Sequence, residues 1–216
     1  MASIDGVAVS AVLNQMALDV EAQKDYLCEL DGAVGDGDHG VSMTIGMRAV
    51  RRALLDLPES PTPSEVFQSA ADAYAVEVGA TIGPLYEVAF VAAADASAGK
   101  SHVDEGADWL AIYRGMFDAI QSLGGAELGD KTMLDSFHPA IEAMSESVAA
   151  GADLPTCLDI AASTAHQAAI DTTGMMPKKG RASRLGARAI GHQDAGATSI
   201  AIILESIATT VRGLPG

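Results

Sequence analysis

The chain has 216 residues, 49% of them hydrophobic but only 4% aromatic, and a formal net charge of -16. Its length suits a single domain, residues 1–216, and its acidity disfavours nucleic acid and anionic membranes as partners. We expect a cytoplasmic protein, because the two cysteines form no framework, no signal-peptide pattern opens the chain, and no apolar run approaches the ~20 residues of a membrane span.

Hydrophobic periodicity predicts eight α-helices in chain order. They are expected over residues 7–30, 40–57, 64–78, 85–98, 107–123, 129–150, 157–172 and 196–211. Ser64 is the expected N-cap of the third helix. No stretch alternates in the manner of a β-strand, and the many small residues favour packing of helix on helix. The predicted fold class is therefore all-α, an eight-helix antiparallel up-and-down barrel-like bundle.

The connection between the first two helices is the most unusual stretch of the chain. It reads Asp31-Gly-Ala-Val-Gly-Asp-Gly-Asp-His-Gly40. The carboxylates of Asp31, Asp36 and Asp38 are hard oxygen ligands, and the intervening glycines allow tight bends. Three like charges drawn together need a cation, and Mg²⁺ takes a few carboxylates together with phosphate oxygens and waters. The stretch therefore indicates a metal–phosphate site, with a solvated turn as the alternative.

Three further glycine-containing or basic connections are expected at the same end of the bundle, because alternate loops of an up-and-down bundle share one rim. They are residues 79–84, 124–132 and 178–196. Residues 79–83 can present backbone N–H groups to an anion at a helix start. Arg181 offers a fixed fork for phosphate oxygens, and Lys178, Lys179 and Arg184 add positive charge around it.

Each of these features also has an ordinary structural explanation. The glycine loops can be plain turns, His39 can stabilise its loop through a hydrogen bond, and Met133 can belong to the core. His192 and Asp194 can form a helix cap. No Gly-x4-Gly-Lys-Ser/Thr pattern occurs, so a P-loop is not indicated.

The same residues carry a resemblance to a known family. The motifs are Gly35-Asp-Gly-Asp-His-Gly40, Gly83-Pro-Leu-Tyr86, Gly129-Asp-Lys-Thr-Met133, Gly180-Arg-Ala-Ser183 and Gly191-His-Gln-Asp194. Together they resemble the nucleotide-binding domain of dihydroxyacetone kinases, which is the L subunit of the bacterial enzyme and the C-terminal domain of the single-chain form. The resemblance spans nearly the whole chain, and it implies the eight-helix barrel-like bundle independently.

The resemblance implies a site as well as a fold. Asp31, Asp36 and Asp38 would hold two Mg²⁺ ions that bridge the phosphates of ADP or ATP. The implied nucleotide-binding residues are His39, Gly40, Val41, Ser42, Thr81, Ile82, Gly124, Met133, Arg181, Asp194, Ala195 and Gly196.

In such kinases the keto-sugar is carried by a separate domain, which this sequence does not contain. The chain would therefore be the Mg-nucleotide-binding phosphoryl-transfer subunit of a dihydroxyacetone-type kinase and would act with a sugar-binding subunit. Depending on the system, the nucleotide is exchangeable ATP or a retained ADP that a phosphotransferase-system phosphoprotein rephosphorylates. The alternative function is a non-catalytic nucleotide-sensing or regulatory binding protein.

The sequence departs from the family pattern beside the implied phosphates. Where the family usually reads Gly-Gly-Ala-Ser-Gly, this chain has Gly79-Ala-Thr-Ile-Gly83, and an Asp-Pro-Gly motif has become Asp194-Ala-Gly196. Ser42 and Thr44 stand where Asn is usual. Ile82 cannot donate the hydrogen bond that a serine hydroxyl would supply. These departures suggest a divergent paralogue that acts on a related keto-sugar.

Overall fold

The computed structural model describes residues 3–79 and 82–215, and this part of the chain contains helices but no strand. Nine α-helices follow one another within it. They are α1 (Gly6–Ala22), α2 (Lys24–Val34), α3 (His39–Ala53), α4 (Pro63–Glu77), α5 (Ile82–Ala96), α6 (Gly106–Gly124), α7 (Leu134–Ala149), α8 (Leu154–Asp171) and α9 (Ala195–Gly213). Short 3₁₀ helices lie at Leu54–Asp56, Thr172–Gly174 and Ala182–Ala189. The all-α prediction is confirmed.

The first predicted helix, over residues 7–30, is wrong as a single element. The chain breaks at Gln23, which has φ -94° and ψ 7°, and α2 begins at the next residue. This break explains why the described chain has nine α-helices and not eight. Val20 and Leu27 are both fully buried and lie seven residues apart. The helical spacing of apolar residues therefore continues across the break, and no change in this pattern marks it.

The N-cap of α4 is Thr62 and not the predicted Ser64. The Thr62 hydroxyl accepts a hydrogen bond from the Glu65 N–H at 3.3 Å, and the Glu65 carboxylate accepts one from the Thr62 N–H at 2.7 Å. This reciprocal capping box places Pro63 at the first helical position, which suits its fixed φ. Ser64 instead donates its hydroxyl to the Ala94 carbonyl at 2.9 Å, which ties α4 to α5.

Packing between neighbours in the chain organises the molecule. From α3 to α9, each helix contacts the next, and α1 contacts both α3 and α9. The Ser206 hydroxyl on α9 donates to the Asp19 carboxylate on α1 at 2.6 Å. Aliphatic side chains make up most of the interior, and a few aromatic side chains pack among them, for example Tyr74 and Tyr86, whose stacked ring centroids are 5.3 Å apart. Within the described residues, no helix is both long and apolar enough to cross a membrane.

A close backbone approach joins α2 to the start of α3. A Cβ atom at Gly40 would lie 2.0 Å from the Lys24 carbonyl oxygen and 2.9 Å from the Cys28 sulfur. Only glycine fits such a contact without moving one of the helices. The contact fixes where α3 begins, and it therefore fixes the loop of residues 35–38 that joins the two helices.

Candidate functional site

A cleft of about 270 Å³ opens beside the loop between α2 and α3. Its lining comes from five separate stretches of the chain, which lie in or beside the four connections expected to share one rim. The lining residues are Asp31, Val34, Asp36, Asp38, His39, Ser42, Ile82, Leu85, Lys131, Thr132, Met133, Lys179, Gly180, Arg181, Ala182, Asp194, Ala195 and Gly196.

Three aspartates form a candidate metal centre in this cleft. Asp31, Asp36 and Asp38 each offer a carboxylate oxygen, and these oxygens lie within 4.8 Å of one another. One carboxylate oxygen of Asp31, Oδ2, accepts hydrogen bonds from the N–H groups of Asp38 and His39, at 3.0 and 3.3 Å. These bonds fold the loop back over the end of α2, which brings Asp36 and Asp38 towards Asp31.

The electrostatics of the three aspartates favour a cation. Asp31 lies in the last turn of α2, where the helix dipole adds partial negative charge. Asp38 is the N-cap residue of α3, yet its side chain makes no capping hydrogen bond, so its carboxylate is free to face the cleft. The Arg181 guanidinium forms an ion pair with Asp36 and lies 3.2 Å from the Asp38 carboxylate. A positive group therefore already stands at this position in the structure.

His39 is half-buried at the edge of the cleft. Its Nε2 atom is buried and has no hydrogen-bond partner within the described chain. Burial lowers the pKa of His39 to about 4, against the opposing effect of the nearby Asp31 carboxylate. The imidazole is therefore neutral at pH 7, and it leaves one polar atom available for a ligand.

Asp194 lies across the cleft and begins α9. Its carboxylate accepts a hydrogen bond from the Ala197 N–H at 2.7 Å. This bond is the helix cap that was one of the two explanations expected for Asp194. Burial raises the pKa of Asp194 to about 6, and the Ala197 N–H and the Lys131 ammonium partly offset the effect. The cap explains the aspartate, and it also turns the first residues of α9 into the cleft.

The cleft brings together most of the implied nucleotide-binding residues. His39, Ser42, Ile82, Met133, Arg181, Asp194, Ala195 and Gly196 all line it. Gly40, Val41 and Gly124 do not: Gly40 packs against α2, Val41 is 41% exposed on the outer side of α3, and Gly124 ends α6. Thr81 lies outside the described residues.

Several residues that line the cleft were not predicted from the sequence, and the most unusual is Lys131. It has φ 61°, the only positive φ at a residue other than glycine in the described chain, and it is 2% exposed. Its ammonium donates to the carbonyls of Ala189 and Met175, at 2.8 and 3.2 Å. The Gly129–Met133 motif marked the position, but the partners are 44 and 58 residues away, and no local pattern shows them.

Comparison with known proteins identifies the family. The profile of the DAK2 domain matches residues 33–209. The chain belongs to the DAK2 domain family. This DAK2 domain is 36% identical over 213 residues to the ADP-binding subunit DhaL of the PEP-dependent dihydroxyacetone kinase 2 of Listeria innocua, covering 96% of this chain and 98% of the relative. It is 34% identical over 190 residues to the corresponding Escherichia coli subunit, covering 88% of this chain and 90% of the relative.

Longer kinases contain a similar domain as one part of their chain. The D-erythrulose kinase of Mycolicibacterium smegmatis is 35% identical over 204 residues, which cover 94% of this DAK2 domain but 35% of that enzyme. The dihydroxyacetone kinase of C. freundii, solved with AMP-PNP and Mg²⁺, superposes with a TM-score of 0.71 at 21% identity, covering 97% of this chain and 35% of that one. This structural likeness establishes the shared fold.

Proposed function

We propose that this chain is the Mg-nucleotide-binding phosphoryl-transfer subunit of a dihydroxyacetone-type keto-sugar kinase and acts with a separate sugar-binding subunit. The observation that carries the proposal is the cluster of Asp31, Asp36 and Asp38 in a cleft that also holds Arg181. Names of relatives that match almost end to end support it, since they are ADP-binding subunits. We also propose that α1 and α3–α9 form the eight-helix antiparallel barrel-like bundle, with α2 as an addition.

The aspartates suit Mg²⁺ by their chemistry. Three carboxylates on a short loop supply hard oxygen ligands and leave other coordination positions to phosphates and water. When bound there, Mg²⁺ neutralises charge on the phosphates during transfer. The proposal takes two ions, as the family resemblance implies. Asp31 orders the loop through its Oδ2 atom, while Asp36 and Asp38 face the cleft next to Arg181.

The remaining lining residues suit a nucleotide. The first residue of α5, Ile82, lies in the cleft, so the start of this helix can direct N–H groups at a phosphate. Arg181 carries a planar guanidinium that can pair with phosphate oxygens once a metal ion has taken its place between the aspartates. Met133 and the start of α9 supply apolar and backbone surface on the opposite side for the rest of an ADP or ATP molecule.

The names of the relatives support a partner subunit. This chain aligns with nearly the full length of the separate ADP-binding subunits, but with only about a third of the single-chain erythrulose kinase. Because the relatives that match end to end are named as one subunit of a kinase, we assign sugar binding to a second subunit. The donor is ATP or, where ADP is retained, a phosphoprotein, because names of relatives include PEP-dependent and PTS-dependent kinases.

Reconstitution tests the proposed division of labour. Phosphoryl transfer to dihydroxyacetone is measured with the purified chain alone and with a sugar-binding subunit added, with ATP or a phosphoprotein as the donor. We expect no useful rate from the chain alone, because phosphoryl transfer depends on positioning both reactants. Robust turnover by the chain alone would contradict the assignment of sugar binding to a second subunit. Mg-nucleotide binding without turnover in any combination would favour the nucleotide-sensing alternative.

The Ile82→Ser variant tests how tightly the nucleotide is held. A hydrogen bond to a charged phosphate is worth roughly 1.5–3 kcal/mol, which corresponds to about a tenfold or larger change in affinity. We therefore expect Ile82→Ser to bind Mg-ADP at least about tenfold more tightly than the wild type. The same change at the exposed Ile170 of α8 should leave the affinity unchanged.

The nucleotide content of the purified wild type gives a second measure. We infer that this chain exchanges nucleotide readily, which favours ATP as a consumed donor. Protein purified without added nucleotide and dialysed extensively should then carry little ADP. Stoichiometric ADP that survives dialysis would refute weak binding, and an unchanged affinity in Ile82→Ser would show that Ile82 is not its cause.

A further inference from the structure

A basic segment, residues 175–189, runs along one side of the cleft. It contains five of the thirteen lysines and arginines of the chain and no acidic residue. Lys179, Gly180, Arg181 and Ala182 in its middle line the cleft. The segment has little regular structure beyond the 3₁₀ turns of Ala182–Ala189, which kink at Gly186. Something outside the segment must therefore hold Arg181 over the aspartates.

Lys131 contacts the segment at both ends. Its ammonium donates to the carbonyl of Met175, the first residue of the segment, and to that of Ala189, the last. One side chain thus joins the two ends of a stretch of fifteen residues, and Arg181 lies near the middle of that stretch. The neighbouring Asp130 adds a third point, since its carbonyl accepts from the Lys178 N–H at 3.0 Å and its carboxylate lies 3.3 Å from the Lys178 ammonium.

Lys131 is far more buried than an ordinary surface lysine. Lysine is almost never fully buried without compensation, yet this residue is 2% exposed. Among the described residues its ammonium pairs with two backbone carbonyls and with no carboxylate within ion-pair distance. Burial lowers the pKa of Lys131, and the nearby Asp194 carboxylate opposes the effect. A left-handed backbone at a residue with a long side chain adds strain, which persists only where the surroundings require that residue.

We propose that Lys131 is a positioning residue that ties together the two ends of the basic segment and so holds Arg181 at the aspartates and the phosphates. The tie itself requires no ligand. Its consequence for nucleotide binding rests on the proposed function. The site residues assigned from the sequence do not include Lys131, and it acts here through Arg181.

Limited trypsin digestion of nucleotide-free protein tests the tie. Trypsin cleaves after lysine and arginine, and the segment offers five such sites. In Lys131→Met, which removes the donors and keeps most of the side chain volume, we expect cleavage within residues 175–189 to be about tenfold faster, because local opening exposes the sites. The control is Lys100→Met, the same change at an exposed lysine that pairs with Asp108. It should leave cleavage of the segment unchanged.

A double-mutant cycle tests the action through Arg181. Mg-ADP affinity is measured in Lys131→Met, Arg181→Ala and the combined variant. We expect Lys131→Met to weaken binding about tenfold in the wild type and to have no further effect once Arg181 is absent. Additive losses would overturn the positioning role, because they would mean that Lys131 acts independently of Arg181.

The two experiments fail in distinguishable ways. If a folded Lys131→Met protein is cleaved at the wild-type rate, Lys131 does not hold the two ends of the basic segment together, whatever the chain binds. If thermal unfolding shows that Lys131→Met does not fold, Lys131→Gln serves in the same assays, since its shorter side chain keeps a polar end but cannot reach both carbonyls. Wild-type cleavage in that variant would overturn the proposal equally. A complete lack of Mg-ADP binding by the wild type would instead contradict the proposed function. The digestion result alone would then decide whether Lys131 holds the basic segment together.

Discussion

Asp36→Asn and Asp38→Asn are each expected to weaken Mg²⁺-dependent ADP binding by more than about 100-fold, since changes to groups that merely support metal ligands already cost about 10–100-fold. Each substitution removes one negative charge from a cluster whose carboxylate oxygens lie within 4.8 Å of one another. An amide oxygen is a weaker ligand for a hard cation, and it no longer offsets the ion's charge. Calorimetric titration with ADP in the presence and absence of Mg²⁺ measures the effect.

The fold should survive both substitutions. Asp36 and Asp38 are exposed, and neither side chain caps a helix, so circular dichroism should show unchanged helix content. Asp118→Asn, at an exposed aspartate of α6, is the matched control and should bind Mg-ADP normally. Unchanged ADP affinity in both site variants, with Mg²⁺ present, would defeat the metal assignment.

Gly40→Ala is expected to destabilise the protein by about 2 kcal/mol or more, because overpacking a close contact typically costs about 1–3 kcal/mol. The added Cβ would lie 2.0 Å from the Lys24 carbonyl oxygen, a backbone atom that no side-chain rotation can move. Alanine favours a helix by up to about 1 kcal/mol over glycine, and a clash this short outweighs that gain. Denaturant unfolding measures the difference.

Gly32→Ala supplies the control for this prediction. Gly32 lies in α2, and a Cβ there would meet nothing closer than the Cα of Gly37 at 3.7 Å, an ordinary contact. The substitution should be neutral or stabilise the protein by up to about 1 kcal/mol. Equal stabilities of the two variants would show that α2 and α3 separate easily and that Gly40 does not fix the loop.

Helix type could be predicted from the sequence much better than helix ends. Apolar residues recur at helical spacing throughout, so the all-α class followed from pattern alone. The break at Gln23 could not be foreseen, because the residue is neither glycine nor proline and the buried positions continue in step across it. At Thr62 the signal is present in the sequence, since Thr-Pro-x-Glu is a capping-box pattern, but Ser64 two residues later is also a residue type that caps helices.

In the site, too, features that depend on neighbouring residues could be predicted, and features that depend on distant residues could not. The aspartate cluster was predictable because its three aspartates stand within eight residues. The meeting of Asp31–His39 with Arg181 followed from the alternation of loops in a bundle. Lys131 was out of reach, since its role depends on carbonyls far along the chain, and a carbonyl has no sequence signature. The packing role of Gly40 could not be predicted either, since it depends on the Lys24 carbonyl. A glycine within a motif is usually interpreted first as a ligand-binding residue.

The contact between α1 and α9 has a consequence for biosynthesis. Ser206 and Asp19 are 187 positions apart, so α1 acquires this neighbour only after α9 has been synthesised. Until then α1 has α3 and α4 beside it, but the side that α9 will cover is open to water. Contacts between such distant residues form late and slow the final step of folding. Until α9 is made, the nascent chain therefore exposes the apolar side of α1, and exposed apolar surface is what general chaperones bind.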